Sequence, residues 1–156
     1  MILIAYFSKT GITREAAEIL ADLLPSSKLV DLAQNTPSLE DYDSVIIGSG
    51  IRVGTINKAI IEFLDKNKAA LSSKKYGIFI SNCFADSTDT ILATIPEAIR
   101  NGAAWMGSVG GQIDVSRLKG LDKMVAKAMT KSLKEGQKIS EELDRAALEE
   151  LASCFR

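Results

Sequence analysis

The run Met1-Ile2-Leu3-Ile4-Ala5-Tyr6-Phe7 leads directly into Ser8-Lys9-Thr10-Gly11-Ile12-Thr13, and that junction decides the fold. The apolar run reads as a buried strand. Behind it, Ala16, Ile19, Leu20, Leu23 and Leu24 recur at helical spacing and predict a helix over Gly11–Leu24. The hydroxyls of Ser8, Thr10 and Thr13 therefore gather where a helix start leaves its first amides without intrahelical partners. Amides, helix dipole and hydroxyls together suit a phosphate, and Gly11 lets a ligand approach the backbone closely. An N-capped helix after a strand explains the same residues, since Ser and Thr are ordinary caps. Position on the first strand-to-helix turn favours the phosphate.

Outward from this junction, strands and helices alternate. Lys28–Leu32 is a polar, short second strand, and Ala33–Asp43, holding Pro37, is a loop with one helical turn. Ser44–Gly50 is a buried third strand. Ile56, Ala59, Ile60, Phe63 and Leu64 form the stripe of the next helix. Tyr76–Ser81 is a fourth strand and Ala103–Val109 a weaker fifth, with a helix between them that Pro96 kinks or restarts. Two further helices are expected near Arg117–Leu133 and Ser140–Ser153. Five strands with helical crossovers predict a doubly wound, three-layer α/β sandwich with a parallel sheet in the order 2-1-3-4-5. Residues 1–156 read as a single domain. In such sheets ligands sit beyond the carboxyl ends of the strands where the order reverses, here between strands one and three.

Composition narrows the chemistry. With 19 basic and 20 acidic residues the formal charge is -1, so nothing calls for nucleic acid. Cys83 and Cys154 make no disulfide framework or paired metal spacing, and no metal site is expected. Histidine is absent, which removes Ser-His-Asp and Cys-His catalysis. The first apolar run is too short for a signal peptide and has no basic leader. No stretch approaches the ~20 apolar residues of a membrane span. A cytoplasmic protein is expected.

Two more loops fall at the same sheet edge. Gly48-Ser49-Gly50-Ile51-Arg52-Val53-Gly54-Thr55 suits either close approach to a flat ligand or a plain strand-to-helix turn. Its glycine spacing is not a dinucleotide fingerprint. In Ser81-Asn82-Cys83-Phe84-Ala85-Asp86-Ser87, Phe84 either covers an aromatic ligand or belongs to a satellite core, while Asn82 offers polar groups to a ring edge. Arg52 is either a solvated surface cation or a charge beside a bound ring. Cys83 lacks a histidine to activate it as a nucleophile. Trp105 falls in a strand and is expected in the core. The stretch Ile139–Phe155 reads as a helix covering the sheet, its acidic polar face unsuited to an anionic membrane.

One loop built for phosphate and two for a plane describe a flavin mononucleotide pocket. The Ser/Thr-x-Thr-Gly-x-Thr pattern across Ser8–Thr13 resembles the phosphate loop of the flavodoxin family, and the resemblance runs along the whole chain. More narrowly, Ser49-Gly50-Ile51-Arg52-Val53-Gly54 with Lys58, and Gly110–Leu118 followed by Leu121-Asp122, resemble the menaquinone-dependent protoporphyrinogen dehydrogenase branch. The resemblance implies a flavodoxin-like domain that holds FMN noncovalently. Its expected contacts are Ser8, Lys9, Thr10, Gly11, Ile12 and Thr13 at the phosphate. Ser49, Gly50, Ile51, Arg52, Val53 and Gly54, with Ser81, Asn82, Cys83, Phe84, Ala85 and Asp86, are expected around the ring. Arg52 would tune the flavin, since a cation near its N1 edge favours the reduced anion.

The implied activity is an FMN-dependent oxidoreductase working with a quinone, a small organic substrate or a redox partner protein. The alternative is a flavodoxin-type shuttle between protein partners. Where that branch has a longer, basic segment after strand four, this chain has Ala85–Thr90, acidic and hydroxylic, which suits porphyrin propionates less. A receiver-like signalling domain would place acidic residues after strand one and an acceptor Asp at the end of strand three. The chain has Ser8-Lys9 and Gly48-Ser49-Gly50 there.

Overall fold

The computed structural model describes residues 1–111, 120, 121, 123, 124, 127, 140 and 142–156. In order, the elements are β1 (Ile2–Phe7), α1 (Ile12–Leu23), β2 (Ser27–Asp31), β3 (Ser44–Arg52), β4 (Thr55–Ile56), α2 (Lys58–Lys66), α3 (Lys68–Leu71), β5 (Lys75–Ser81), a 3-10 turn (Ala85–Ser87), α4 (Thr88–Leu92), α5 (Glu97–Gly102), β6 (Trp105–Ser108) and α6 (Arg145–Ser153). Five strands run parallel in the order β2-β1-β3-β5-β6, which is the expected 2-1-3-4-5 arrangement, and β4 folds back antiparallel on β3. Polar β2 lies at one edge, as its composition implied.

The sheet separates two apolar cores. Alternation along each central strand feeds both: Leu3 and Ala5, Val45 and Ile47, Ile78 and Ile80 face the layer of α2 to α5, where Ile60, Phe63, Ile95 and Ile99 meet them. Ile4, Ile46 and Phe79 face the other layer, built from Ala16, Ala17 and Leu20 of α1 with Leu148 and Leu151 of α6. Burial on both faces is what makes these strands continuous apolar runs. One glycine is dictated by this packing. A Cβ on Gly48 would lie 2.1 Å from Cζ of Phe79, so the ring of that fully buried residue occupies the space above the β3 backbone.

Several element boundaries differ from the sequence reading, among them the end of β3, expected at Gly50 and found at Arg52. The residues 33–43 contain turns but no helical turn. Ile56 belongs to β4, and α2 starts at Lys58 because Asn57 caps it, its Oδ1 accepting from the Ala59 amide at 2.8 Å. The last described helix starts at Arg145, capped by Asp144 accepting from the Ala147 amide at 3.0 Å. Pro96 restarts the chain as expected, standing at the N-cap of α5. Trp105 packs half-buried against the α1–α6 core. The helix expected near Arg117–Leu133 falls largely outside the described residues; Gly120, Leu121, Lys123, Met124 and Lys127 within it are helical. Of the expected Gly110–Leu118 resemblance segment, Gly110 and Gly111 are described. Among the described residues no helix is long and apolar enough to cross a membrane.

Candidate functional site

Register brings the three loops together. Phe7 at the end of β1 lies beside Ser49 of β3, and Gly50 lies beside Ser81 at the end of β5. All three loops therefore leave the sheet at its carboxyl edge, around the reversal point between β1 and β3.

The first loop turns tightly. Ser8 Oγ accepts the Gly11 amide at 3.0 Å, and Gly11 takes φ 97°, a left-handed conformation in which a side chain would be strained. The Gly11 carbonyl then accepts from the Glu15 amide at 2.9 Å and opens α1. Gly11, which stands at the N-cap of α1, has no side chain to cap it. A serine that accepts one amide can still donate its own hydrogen to an anion. Ser8, Thr10 and Gly11 are half-buried, Lys9 is exposed, and Ile12 and Thr13 are buried. A Cβ on Gly50 would lie 3.1 Å from Thr13 Oγ1. The bare backbone of Gly50 thus brings the second loop against the first.

The second loop is not an open clasp. β3 continues to Arg52 and returns through Thr55, with Ile51 opposite Ile56 and Arg52 opposite Thr55. Val53 (φ 51°) and Gly54 (φ 70°) form its two-residue turn, both left-handed as in the turn that matches strand twist. Thr55 Oγ1 donates to the Arg52 carbonyl at 2.7 Å. Fully buried Ser49 directs its hydroxyl inward: it donates to the Gly50 carbonyl at 2.7 Å and accepts from the Asn57 amide at 3.1 Å. Arg52 and Val53 are exposed at the hairpin end.

The third loop is braced from within. The Asn82 amide, 3% exposed, donates to the Phe84 carbonyl, Ser87 Oγ and Thr88 Oγ1 at 2.8, 3.2 and 3.2 Å, and its Oδ1 accepts the Phe84 amide. Ser108 Oγ donates to the Asn82 carbonyl, and the Ser140 amide to the Cys83 carbonyl. Nothing in the spacing of Ser108 or Ser140 marks them as supports; the nearby Gly110-Gly111 pair, which leads back beside Ser81, is the signal that points to the place. Phe84 is half-buried and belongs to neither core, which favours a loop aromatic over a core residue. Ala85 and Asp86 are exposed at the tip. Burial pushes the Cys83 thiol up to about 11, so it stays protonated at neutral pH. Among the described residues no cluster of His, Cys, Asp or Glu could hold a metal ion.

Two observations test whether a flavin nucleotide fits. Gly50 leaves a bare backbone floor beside Thr13, which any side chain would fill. Ser81 Oγ, directly across the register from Gly50, is buried without a hydrogen-bond partner. A buried hydroxyl with unused capacity at a ligand edge is the kind of group a polar ring satisfies. The residues present therefore fit a phosphate at Ser8–Thr13 and a polar plane between the other two loops.

Comparison with known proteins agrees with this topology. The family model of the flavodoxin domain matches residues 3–140. Protoporphyrinogen IX dehydrogenase [quinone] of Escherichia coli K12 is 34% identical over 88 residues, 53% of this chain and 49% of that protein. NAD(P)H dehydrogenase (quinone) of Sinorhizobium fredii is 28% identical over 118 residues, 69% of this chain and 59% of its own. The chain thus spans about half to three-fifths of the curated relatives it matches. Among solved structures, a flavoprotein in complex with FMN from Lactobacillus acidophilus superposes with a TM-score of 0.51 at 20% identity, covering 74% of this chain and 93% of that one. Fold, loop placement and family match point the same way: the chain belongs to the flavodoxin domain family.

Proposed function

We propose that this protein is an FMN-dependent oxidoreductase that passes electrons to a quinone or a small organic acceptor. The observation that carries the reading is the convergence of the Ser8–Thr13 turn, the Gly50 floor and the Ser81 hydroxyl at one sheet edge. Ser8, Lys9, Thr10, Gly11, Ile12 and Thr13 would hold the phosphate. Ser49–Gly54 and Ser81–Asp86 would flank the ring, largely through backbone groups, because Ser49 and Asn82 bond their own loops. Bound FMN would supply the electron or hydride transfer, chemistry that protein side chains lack. Arg52 adds positive charge at the hairpin, where it would favour the reduced flavin. Quinone as acceptor is supported by the two relatives, both named as quinone dehydrogenases.

A second reading, a shuttle between protein partners, is favoured by one feature. The segment from Ala85 to Thr90, at the end of the third loop and the start of α4, carries Asp86 and Asp89 exposed, without cations that would meet propionates of a porphyrin. Apoprotein titrated with FMN and riboflavin, followed by oxidation of the reduced holoprotein by menadione and reduction of the oxidised holoprotein by protoporphyrinogen, separates the possibilities. The oxidoreductase reading expects FMN to bind far tighter than riboflavin and quinone reduction to outpace that by free FMN. Tight FMN with no quinone turnover would leave the shuttle. Equal affinity for riboflavin would remove the phosphate site.

A further inference from the structure

Among the described residues, two buried side-chain hydroxyls have no hydrogen-bond partner, Ser27 Oγ and Ser81 Oγ. They lie at opposite ends of the sheet. Ser27 opens β2 beside Ile2 at the amino edge, whereas Ser81 ends β5 at the carboxyl edge. A hydroxyl taken out of water without a partner destabilises the folded chain. Polar side chains near Ser81 are committed elsewhere. Ser49 bonds the Gly50 carbonyl and the Asn57 amide, Asn82 bonds its own loop, and Ser108 bonds the Asn82 carbonyl.

Register fixes where the Ser81 side chain stands. Ser81 is the partner of Gly50 in the parallel β3–β5 ladder, so the two positions share one face of the sheet. A Cβ on Gly50 would lie 3.1 Å from Thr13 Oγ1, which identifies that face as the one covered by α1. Phe79, two residues before Ser81, agrees: it packs in the α1–α6 core. Thr13, bare Gly50 and Ser81 therefore form a row across the carboxyl edge, with the Ser8–Thr13 turn at one end. Adjacent strands lie about 4.8 Å apart, so Ser81 is one strand spacing beyond the Gly50 floor. Bare backbone borders it on a second side, where a Cβ on Gly111 would lie 3.5 Å from the Ser81 carbonyl carbon.

Polar groups of a ring would satisfy such a hydroxyl, but its place in the row selects the chain between phosphate and ring. A ring flanked by the exposed hairpin end and by the loop of Phe84 lies farther out. We infer that the Ser81 hydroxyl is kept unpartnered for a hydroxyl of the ribityl chain of FMN, so that Ser81 selects flavins by the chain they carry. Both groups donate and accept, and each completes the other. This inference rests on the FMN reading and extends it to one side chain.

The experiment is calorimetric titration of apoprotein with FMN and with its analogue bearing a pentyl phosphate chain, which lacks the ribityl hydroxyls. Ser81→Ala should weaken FMN roughly 10–100-fold, because the wild-type hydroxyl is already desolvated and recovers a full hydrogen bond on binding. Affinity for the pentyl analogue should scarcely change. Ser81→Cys, close in size but a weak hydrogen-bonding group, should follow the alanine variant. Ser27→Ala, the control at the far edge, should leave both affinities as they are. In thermal unfolding of apoprotein, both alanine variants should melt a few degrees above wild type, the reverse of losing a structural hydrogen bond. Tight FMN binding unchanged by Ser81→Ala would overturn this inference alone and leave the FMN reading standing. Equal losses for FMN and the pentyl analogue, or a lower apoprotein Tm in Ser81→Ala, would overturn it too. Wild type that binds neither ligand would remove the FMN reading and this inference together.

Discussion

Replacing Val53 by asparagine should stabilise the protein, although Val53 lies beside the candidate site. The residue has φ 51° and is 58% exposed. Left-handed backbone costs an L-residue roughly 1–2 kcal/mol, and branching at Cβ makes valine a poor occupant. Because the side chain is more than half exposed, few contacts oppose the change. Asparagine tolerates this conformation and, followed by Gly54, makes the preferred sequence for such a hairpin turn. The expected gain is about 1 kcal/mol, which for a domain of this size raises Tm by about 2–4 °C. Val53→Gly relieves more strain but frees the unfolded chain by roughly 0.5–1 kcal/mol, so its gain should be smaller. Val53→Ala keeps φ positive without the branch and should fall near zero. Thermal unfolding of apoprotein, followed by circular dichroism, avoids any contribution from bound ligand. A lower Tm in both the asparagine and the glycine variant would mean that contacts of Val53 outweigh its strain, and would refute the reasoning.

Thr10→Val/Thr13→Val should leave Tm nearly unchanged while weakening FMN by roughly two to four decades in calorimetric titration, since each hydrogen bond to a charged group is worth about 1.5–3 kcal/mol. Gly48→Ala drives a Cβ to 2.1 Å from the buried Phe79 ring and should cost about 3 kcal/mol or more in urea unfolding. Gly54→Ala, which meets nothing within 4 Å but sits at φ 70°, should cost only about 1–2 kcal/mol in the same assay. At pH 8, iodoacetamide should alkylate Cys83 roughly 20–200-fold more slowly than free cysteine, with the rate climbing until pH approaches about 11. Mass spectrometry of the Cys83 peptide against time and pH reads this out, and alkylation as fast as free cysteine would contradict the burial argument.

The strands were legible where burial on both faces forces an unbroken apolar run, as in Leu3–Ala5, Val45–Ile47 and Ile78–Ile80. Pro96 was legible because the ring removes a donor and stops a helix wherever it stands. The β3–β4 hairpin was not. Val53-Gly54 lacks the Asn-Gly or Asp-Gly signature, and valine in a left-handed position runs against its own preference. Ile56 also sits at helical spacing from Ala59, Ile60 and Phe63, so one apolar residue satisfied two patterns and only the Asn57 cap decides between them. Ser49 and Asn82 illustrate a different limit. Short polar side chains can serve a ligand or their own backbone, and spacing does not distinguish the two. Here their hydrogen bonds brace the loops, leaving backbone groups, Ser81 and Phe84 at the candidate site.

The Asn82 brace has a consequence for how this family member can change. Its four hydrogen bonds run to Phe84, Ser87 and Thr88 and bypass the side chains of Ala85 and Asp86. The shape of the loop is therefore specified by residues other than those at its tip. Mutation can exchange the chemistry of positions 85 and 86, acidic for basic or small for aromatic, without dismantling the turn that presents them. Such separation gives natural variation a place to explore new partners while the inherited geometry persists.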